Sequence, residues 1–344
     1  MKRIKSKSVI LPVLGLFIII LVIWTAWGTR ALMVSGISIS SDRLPAVFSG
    51  FRIAHVSDLH NTEFGADNET LLEPLKKCQP DIIVITGDLI DSRHTDVEIA
   101  ISFAQESVKI APTYYVTGNH EARCSQYQSL KSGLEAAEVV VLEDDAVPLE
   151  QNGEKVMLLG LADPSFTIKG DIYGEVPEMV SAKLHDMHIQ EDTYSILLSH
   201  RPELFETYSA CGVDLVLSGH AHGGQFRLPF IGGLVAPNQG LFPKYDAGLY
   251  TDGNTNMIVS RGLGNSIIPV RFNNRPEVVL VELLAKNDAE SPQISDGKIL
   301  VGINTRTGKP SCPCFFSGVN NLKLTAPVVP AHIPQRTLTR ATYR

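Results

Sequence analysis

Apolar and polar positions change their spacing several times along the chain, and each change predicts a different element. From Val9 to Trp27 no charge and no polar face interrupts the apolar run. A helix over those residues is roughly 28 Å long, about the hydrocarbon thickness of a bilayer. From Phe51 onward the pattern becomes an alternation of short β-rich runs and helical spacings. Phe51 to Ser57, Ile82 to Thr86, Tyr114 to Thr117, Ile196 to Leu198 and Leu215 to Leu217 read as buried strands. Further strands are expected at Val139–Leu142, Lys155–Leu161, Met257–Arg261 and Glu277–Leu284. Between them, Asn68 to Cys78 carries Leu71, Leu72, Leu75 and Cys78 on one helical face, with Asn68 available as the N-cap. Val97 to Ile110 and Gln126 to Ala137 repeat that spacing. Alternating strands and helices predict a layered α/β architecture, with a second sheet suggested by the helix-poor stretch from Val140 to Leu161.

Composition adds two constraints. The 344 residues are 44% hydrophobic and 19% charged, enough to bury a sizeable core. A net charge of -7 argues against general nucleic-acid binding, although an acidic protein can still hold phosphates where cations supply the local positive charge. The five cysteines, Cys78, Cys124, Cys211, Cys312 and Cys314, are too few and too scattered for a disulfide scaffold.

The amino terminus reads as a membrane anchor over residues 1–30. Lys2, Arg3, Lys5 and Lys7 precede the apolar run, and Trp24 and Trp27 fall at its distal end, where amphipathic rings favour the interface. The run exceeds the 7–15 apolar residues typical of a cleaved signal peptide. Flanking basic residues stay on the cytoplasmic side, so a single-pass protein with an extracytoplasmic catalytic domain is expected. Residues 31–50 read as a linker and 51–285 as the folded domain. Residues 286–344 read as a basic, disordered tail, because Val301 to Arg344 holds no Asp or Glu and is interrupted by proline. Gly223 to Tyr250, rich in Gly and Pro, reads as an irregular loop carrying Phe226, Leu228, Phe230, Ile231, Leu234 and Phe242. A lid or lipid-facing platform is its functional alternative.

The chemistry lies at the carboxyl ends of the strands. Asp58-Leu59-His60, Gly87-Asp88, Gly118-Asn119-His120-Glu121, Ser199-His200 and Gly219-His220-Ala221-His222 follow them in order. Ligands at those ends converge on one crevice in open α/β sheets. Asp58 and His60 are two apart and share a face if the strand persists. Gly precedes the ligand three times, as if a close approach left no room for a side chain. Carboxylate, imidazole and one amide oxygen, without thiolate, suit borderline divalent ions such as Mn, Fe or Zn.

This ordered set resembles the signature of calcineurin-like metallophosphoesterases, with likeness from about Ile53 to Leu284. Gly223-Gly224-Gln225 and Ser260-Arg261-Gly262-Leu263-Gly264 resemble a membrane-associated bacterial branch that includes a UDP-2,3-diacylglucosamine pyrophosphatase-like group. The resemblance implies a four-layer α/β sandwich with a dinuclear site at its rim. By motif, Asp58, His60 and His222 would hold one metal and Asn119, His200 and His220 the other, with Asp88 bridging. His120 resembles the residue that contacts the phosphoryl oxygen or protonates the leaving group, and Asp91 the carboxylate that orients it. The resemblance thus implies a phosphodiesterase or pyrophosphatase using two divalent ions, Mn foremost, on a phosphate ester that the anchor suggests is lipid-linked. A general phosphomonoesterase and a silent metal-binding scaffold are the alternatives.

One departure bears on substrate. Protein phosphatases of this type continue with Arg-Gly after the second aspartate, whereas Asp91 is followed here by Ser92-Arg93. Arg93, Arg123, Arg201 and Arg261 are candidates to anchor a second phosphate. His55, His94, His185, His188 and His332 lie outside the motifs and are expected to serve packing or the surface.

Overall fold

The computed structural model describes residues 7–168, 175–187, 192–265 and 268–286. Most of the expected tail, with Cys312, Cys314 and His332, lies outside them, as does His188. In chain order the strands are β1 (Met33–Ser41), β2 (Phe51–Val56), β3 (Ile82–Thr86), β4 (Thr113–Val116), β5 (Val140–Val141), β6 (Asp145–Gln151), β7 (Glu154–Gly160), β8 (Ser195–Leu198) and β9 (Leu215–Ser218). They continue with β10 (Arg227–Leu228), β11 (Gly232–Gly233), β12 (Val235–Ala236), β13 (Gly240–Leu241), β14 (Gly248–Asp252), β15 (Thr255–Val259) and β16 (Glu277–Ala285). The helices are α1 (Lys7–Arg30), α2 (Glu69–Cys78), α3 (Val97–Ser107), α4 (Asn119–Ala122), α5 (Tyr127–Ala136), α6 (Glu175–Asp186) and α7 (Phe205–Ala210).

Two six-stranded mixed sheets form, ordered β1-β16-β2-β3-β4-β5 and β14-β15-β9-β8-β7-β6. The period-2 alternation of a strand sorts its side chains between two cores. On β3, Ile82 and Val84 face the core between the sheets, while Ile83 and Ile85 face the core shared with α2, α3 and α5. On β9, Leu215 and Leu217 point to the inter-sheet core and Val216 to a third core, shared with α6 and α7. Helices, sheet, sheet and helices therefore stack as the four layers expected.

The stretch read as a linker is corrected by β1, which pairs in parallel with β16 from Met33↔Glu277 to Ser41↔Ala285. Its serines and Gly36 gave little strand signal because β1 is an edge strand, mostly half-buried, with Ile39 alone fully inside. Only Ala31 and Leu32 separate the end of α1 from β1. Asn68 stands at the N-cap position of α2 as expected, but its side chain makes no capping bond to the helix. It sits in the left-handed region at φ 60°, and its Oδ1 accepts the Phe64 N–H at 3.0 Å.

Helix α1 is long and apolar enough to cross a membrane. Its side chains from Val13 to Trp27 are largely exposed, Val22 by 61% and Ile23 by 63%, so the body of the protein does not bury them. The loop after His222 is not wholly irregular. β10 pairs with β11 and β12 with β13 as short antiparallel ribbons, leaving Phe230, Ile231, Leu241 and Phe242 exposed while Phe226, Leu228 and Leu234 are at least partly covered.

Candidate metal centre

All nine side chains singled out by the motifs are buried at the strand ends of the two sheets. Asp58 and His60 follow β2, Asp88 follows β3, and Asn119 and His120 open α4 just after β4. His200 follows β8, and His220 and His222 follow β9. Parallel pairing of β2 with β3 and of β3 with β4 brings the first three turns to one edge. Parallel pairing of β8 with β9 does the same in the second sheet.

The turns are tight. Asp58, His60, Asp88, His220 and His222 all have left-handed backbones, with φ from 48° to 67°, an unusual concentration for residues other than glycine. Two glycines show why the strand ends carry no side chain before the ligand. A Cβ on Gly118 would strike the Asp88 carboxylate, and one on Gly219 would strike Ser57 and Asp58.

Three groups of ligand-type atoms result: Asp58, His60 and His222; Asp88, His200 and His220; and His60, Asp91 and His120. In the first, Nε2 of His60 and of His222 stand 3.2 Å apart, with Asp58 Oδ1 at 3.9 and 3.4 Å from them. In the second, His200 Nε2 is 3.2 Å from Asp88 Oδ2 and 3.0 Å from His220 Nδ1. Asp88 Oδ2 also lies 3.6 Å from His60 Nε2, so this one carboxylate reaches both groups. Asn119 Oδ1 is buried without a hydrogen-bond partner. A buried amide oxygen left unpaired costs free energy that a cation would recover. Two imidazoles and a carboxylate converging in each group suit borderline divalent ions, so the residues present fit a pair of metals.

Neighbouring groups hold the candidate ligands in place. The Thr86 carbonyl accepts from His200 Nδ1 at 2.7 Å, leaving Nε2 as the nitrogen turned to Asp88. The Asp58 carboxylate accepts the His220 N–H at 3.1 and 3.2 Å, and Asp88 Oδ1 accepts the His120 N–H at 2.8 Å. Glu121, buried beneath, accepts from the Asp88, Gly118 and Ile90 amides at 2.9, 2.7 and 3.3 Å. Burial, reinforced by the Asp88 charge, pushes its carboxyl up to about 7 despite those amides. Burial pushes His60 and His222 down to about 3, so both rings present neutral lone pairs. Burial acts the same way on His200, but Asp88 outweighs it and pushes that ring up to about 10.

His120 and Asp91 meet differently from the sequence expectation. Asp91 is engaged by Arg93 at 2.6 and 3.0 Å and stands 3.7 Å from His120 Nδ1, beyond hydrogen-bond reach. The Ser92 N–H donates to His120 Nδ1 at 3.0 Å instead. A neutral His120 therefore carries its proton on Nε2.

Among the arginines considered for a second phosphate, Arg201 is already committed. It is buried, forks onto Asp163 at 2.5 and 2.9 Å, bonds Ser165 Oγ at 2.9 Å, and places Nη1 3.1 Å from His220 Nε2. Arg123 is exposed, and Arg261 lies 3.8 Å from Glu277. Sequence reasoning missed Asp163, which follows β7 and matches no motif, and it gave Glu121 no role although Glu121 closes one. Of the other histidines, His55 is fully buried and bonds Thr86 Oγ1 at 2.8 Å.

The profile of the family described as calcineurin-like phosphoesterase matches residues 51–224. The chain is 30% identical over 255 residues to the uncharacterized metallophosphoesterase YkuE of Bacillus subtilis (strain 168), spanning 73% of this chain and 85% of that protein. It is 27% identical over 248 residues to the phosphodiesterase YaeI of Escherichia coli (strain K12), spanning 68% and 82%. It is also 27% identical over 264 residues to a Bos taurus transmembrane protein with metallophosphoesterase domain, spanning 73% of this chain and 57% of that one.

Proposed function

Because the chain belongs to the calcineurin-like phosphoesterase family, we propose that this metal-dependent phosphoester hydrolase cleaves a phosphodiester or diphosphate bond in a lipid-linked substrate at a membrane. The observation that carries the hydrolase reading is Asp88, whose Oδ2 lies within 3.6 Å of His60 and 3.2 Å of His200 and so joins two ligand groups. The lipid preference is supported by α1 and by the exposed apolar loop that follows His222.

In this reading Asp58, His60 and His222 hold one divalent ion, and Asn119, His200 and His220 the other, with Asp88 between them. Manganese is the first choice, with iron or zinc as alternatives, since all three accept this mixed donor set. Two such ions, when bound, polarise phosphoryl oxygens and make water acidic near neutral pH. The chain's own residues supply orientation and a proton. Ser92 fixes the His120 tautomer through Nδ1, so Nε2 is the donor available to a leaving-group oxygen. Arg93 keeps the Asp91 carboxylate ionised beside that ring; burial opposes the effect, and the arginine outweighs it. The amino terminus lies in the cytoplasm and the catalytic domain across the membrane.

The test is turnover by the purified, detergent-solubilised full chain on lipid diphosphates in micelles, soluble diesters and soluble monoesters, with Mn, Fe, Zn and Mg compared. Preference for the micellar lipids is expected. Equal rates on soluble diesters would remove the lipid preference, and a preference for monoesters would favour a general phosphomonoesterase. Full metal loading with no turnover on any ester would leave the silent scaffold.

A further inference from the structure

Among the described residues outside α1, exposed large hydrophobic side chains gather after the metal-ligand loop. Phe230 is fully exposed, Ile231 is 59% exposed and Val270 40%. Phe230 and Ile231 form the tip of the ribbon between β10 and β11. That ribbon hangs from residues 268–276. Gln225 Nε2 donates to the carbonyls of Ile268 and Val270 at 2.9 and 2.7 Å, and Arg227 N donates to Phe272 O at 3.0 Å.

The same segment grips the end of α1. Arg275 donates to the carbonyls of Ala31 and Leu32 at 2.7 and 2.5 Å, and its guanidinium lies over the Trp27 ring at 5.0 Å. Thr29 Oγ1 accepts from Arg271 N at 3.1 Å. With only Ala31 and Leu32 before β1, and both carbonyls held, the helix end and the ribbon belong to one unit. The unit extends to the metal site, because Asn274 Nδ2 donates to the His222 carbonyl at 2.7 Å.

We propose that the Phe230–Ile231 tip inserts into the interfacial layer of the bilayer crossed by α1. This rests on the reading of α1 as a membrane span. Trp24 and Trp27 mark the interface level on the helix, and the apolar tip is tied to the segment that clasps Trp27. A second copy of the chain could also cover the tip, but the rigid connection to α1 favours lipid. The ribbon begins five residues after His222, so the site mouth faces the headgroup plane and the substrate is an amphiphile whose phosphoester lies in that layer.

Fluorescence quenching in vesicles tests this directly. The chain has two tryptophans, Trp24 and Trp27, both in α1. The native full chain is reconstituted into phosphatidylcholine vesicles with brominated acyl chains, as is a Trp24→Phe, Trp27→Phe chain carrying Phe230→Trp. A matching chain carrying Val140→Trp instead is the control. Val140 lies on β5, at the opposite edge of its sheet from β1 and about 24 Å away at the usual strand spacing. Quenching is expected for the native tryptophans and for position 230, and far less for position 140. If the native tryptophans are quenched but position 230 no more than position 140, the insertion is overturned while the span stands. If the native tryptophans escape quenching, the span and the insertion both fall. Emission from position 230 that is shifted to the blue but unquenched, with cross-linked dimers, would assign the tip to a second copy and overturn the proposal.

Discussion

Thr29 and Arg271 meet across 242 residues of sequence: Arg271 N donates to Thr29 Oγ1 at 3.1 Å, while the hydroxyl's own proton goes to the Thr25 carbonyl at 2.8 Å, with Arg271 O 3.3 Å away. The Arg271 side chain is fully buried. Its guanidinium donates to the carbonyls of Arg261 and Gly264 and to Asn265 Oδ1. Burial pushes its pKa down to about 10, which still leaves it charged at neutral pH. Gly264 N in turn donates to Asp58 O at 2.6 Å, and Leu263 N to Ser57 O at 3.0 Å. The end of α1 is thus connected through one arginine to the backbone of Asp58, a candidate metal ligand.

Arg271→Lys should therefore loosen that loop. Lysine cannot span three acceptors fixed by a planar fork, and unpaired buried carbonyls remain. A loss of about 2–4 kcal/mol is expected, read as a lower denaturation midpoint, together with reduced metal content by elemental analysis. An unchanged midpoint with full metal content would refute the connection.

Asp88→Asn should empty the centre. Among the described residues, the substitution removes the only carboxylate within 4 Å of both His60 and His200, and with it the charge that offsets two cations. Elemental analysis is expected to find both equivalents depleted and turnover abolished. Retention of two tightly bound ions would exclude a bridging role.

His120→Ala should separate chemistry from binding. Its Nδ1 is taken up by Ser92 rather than by a ligand group, so the ions should stay while turnover falls roughly 10²–10⁴-fold, the range for a lost general acid. Loss of metal from this variant would make His120 a ligand instead.

Metal uptake should release protons. Burial works against a charged His200, yet the adjacent Asp88 carboxylate raises it to about 10, so in the metal-free chain that ring is protonated at neutral pH. A cation must displace the proton before Nε2 can bind it. Affinity should consequently rise with pH up to about that value and weaken on acidification. Calorimetric titrations in two buffers of different ionisation enthalpy should give different apparent heats, whereas identical heats would mean no proton leaves.

How much of this was legible in the sequence depended on whether the signal was local. The strand-then-ligand turns announced themselves because Gly87-Asp88, Gly118-Asn119 and Gly219-His220 carry the steric requirement in adjacent residues. The central strands of the two sheets were legible because Ile82–Thr86 and Leu215–Ser218 are apolar on both faces. β1 was not, since its partner β16 lies more than two hundred residues away and an edge strand needs only one good face. The Arg201–Asp163 pair was hidden for the same reason: each residue looks like an ordinary surface charge until β7 and β8 bring the two together. Sequence spacing could not report that Arg93, two residues on, would also reach Asp91, whose carboxylate stands 3.7 Å from His120 Nδ1.

The left-handed backbones at Asp58, His60, Asp88, His220 and His222 have an effect on how variants of this protein will score. Each holds a side chain in a torsional region that favours glycine by about 1–2 kcal/mol. Glycine at any of the five eases that tension while deleting a ligand, so metal-free variants can persist as well as the parent. Selections on cellular abundance and on hydrolysis will then rank these positions in opposite orders, and that disagreement is itself a map of the centre.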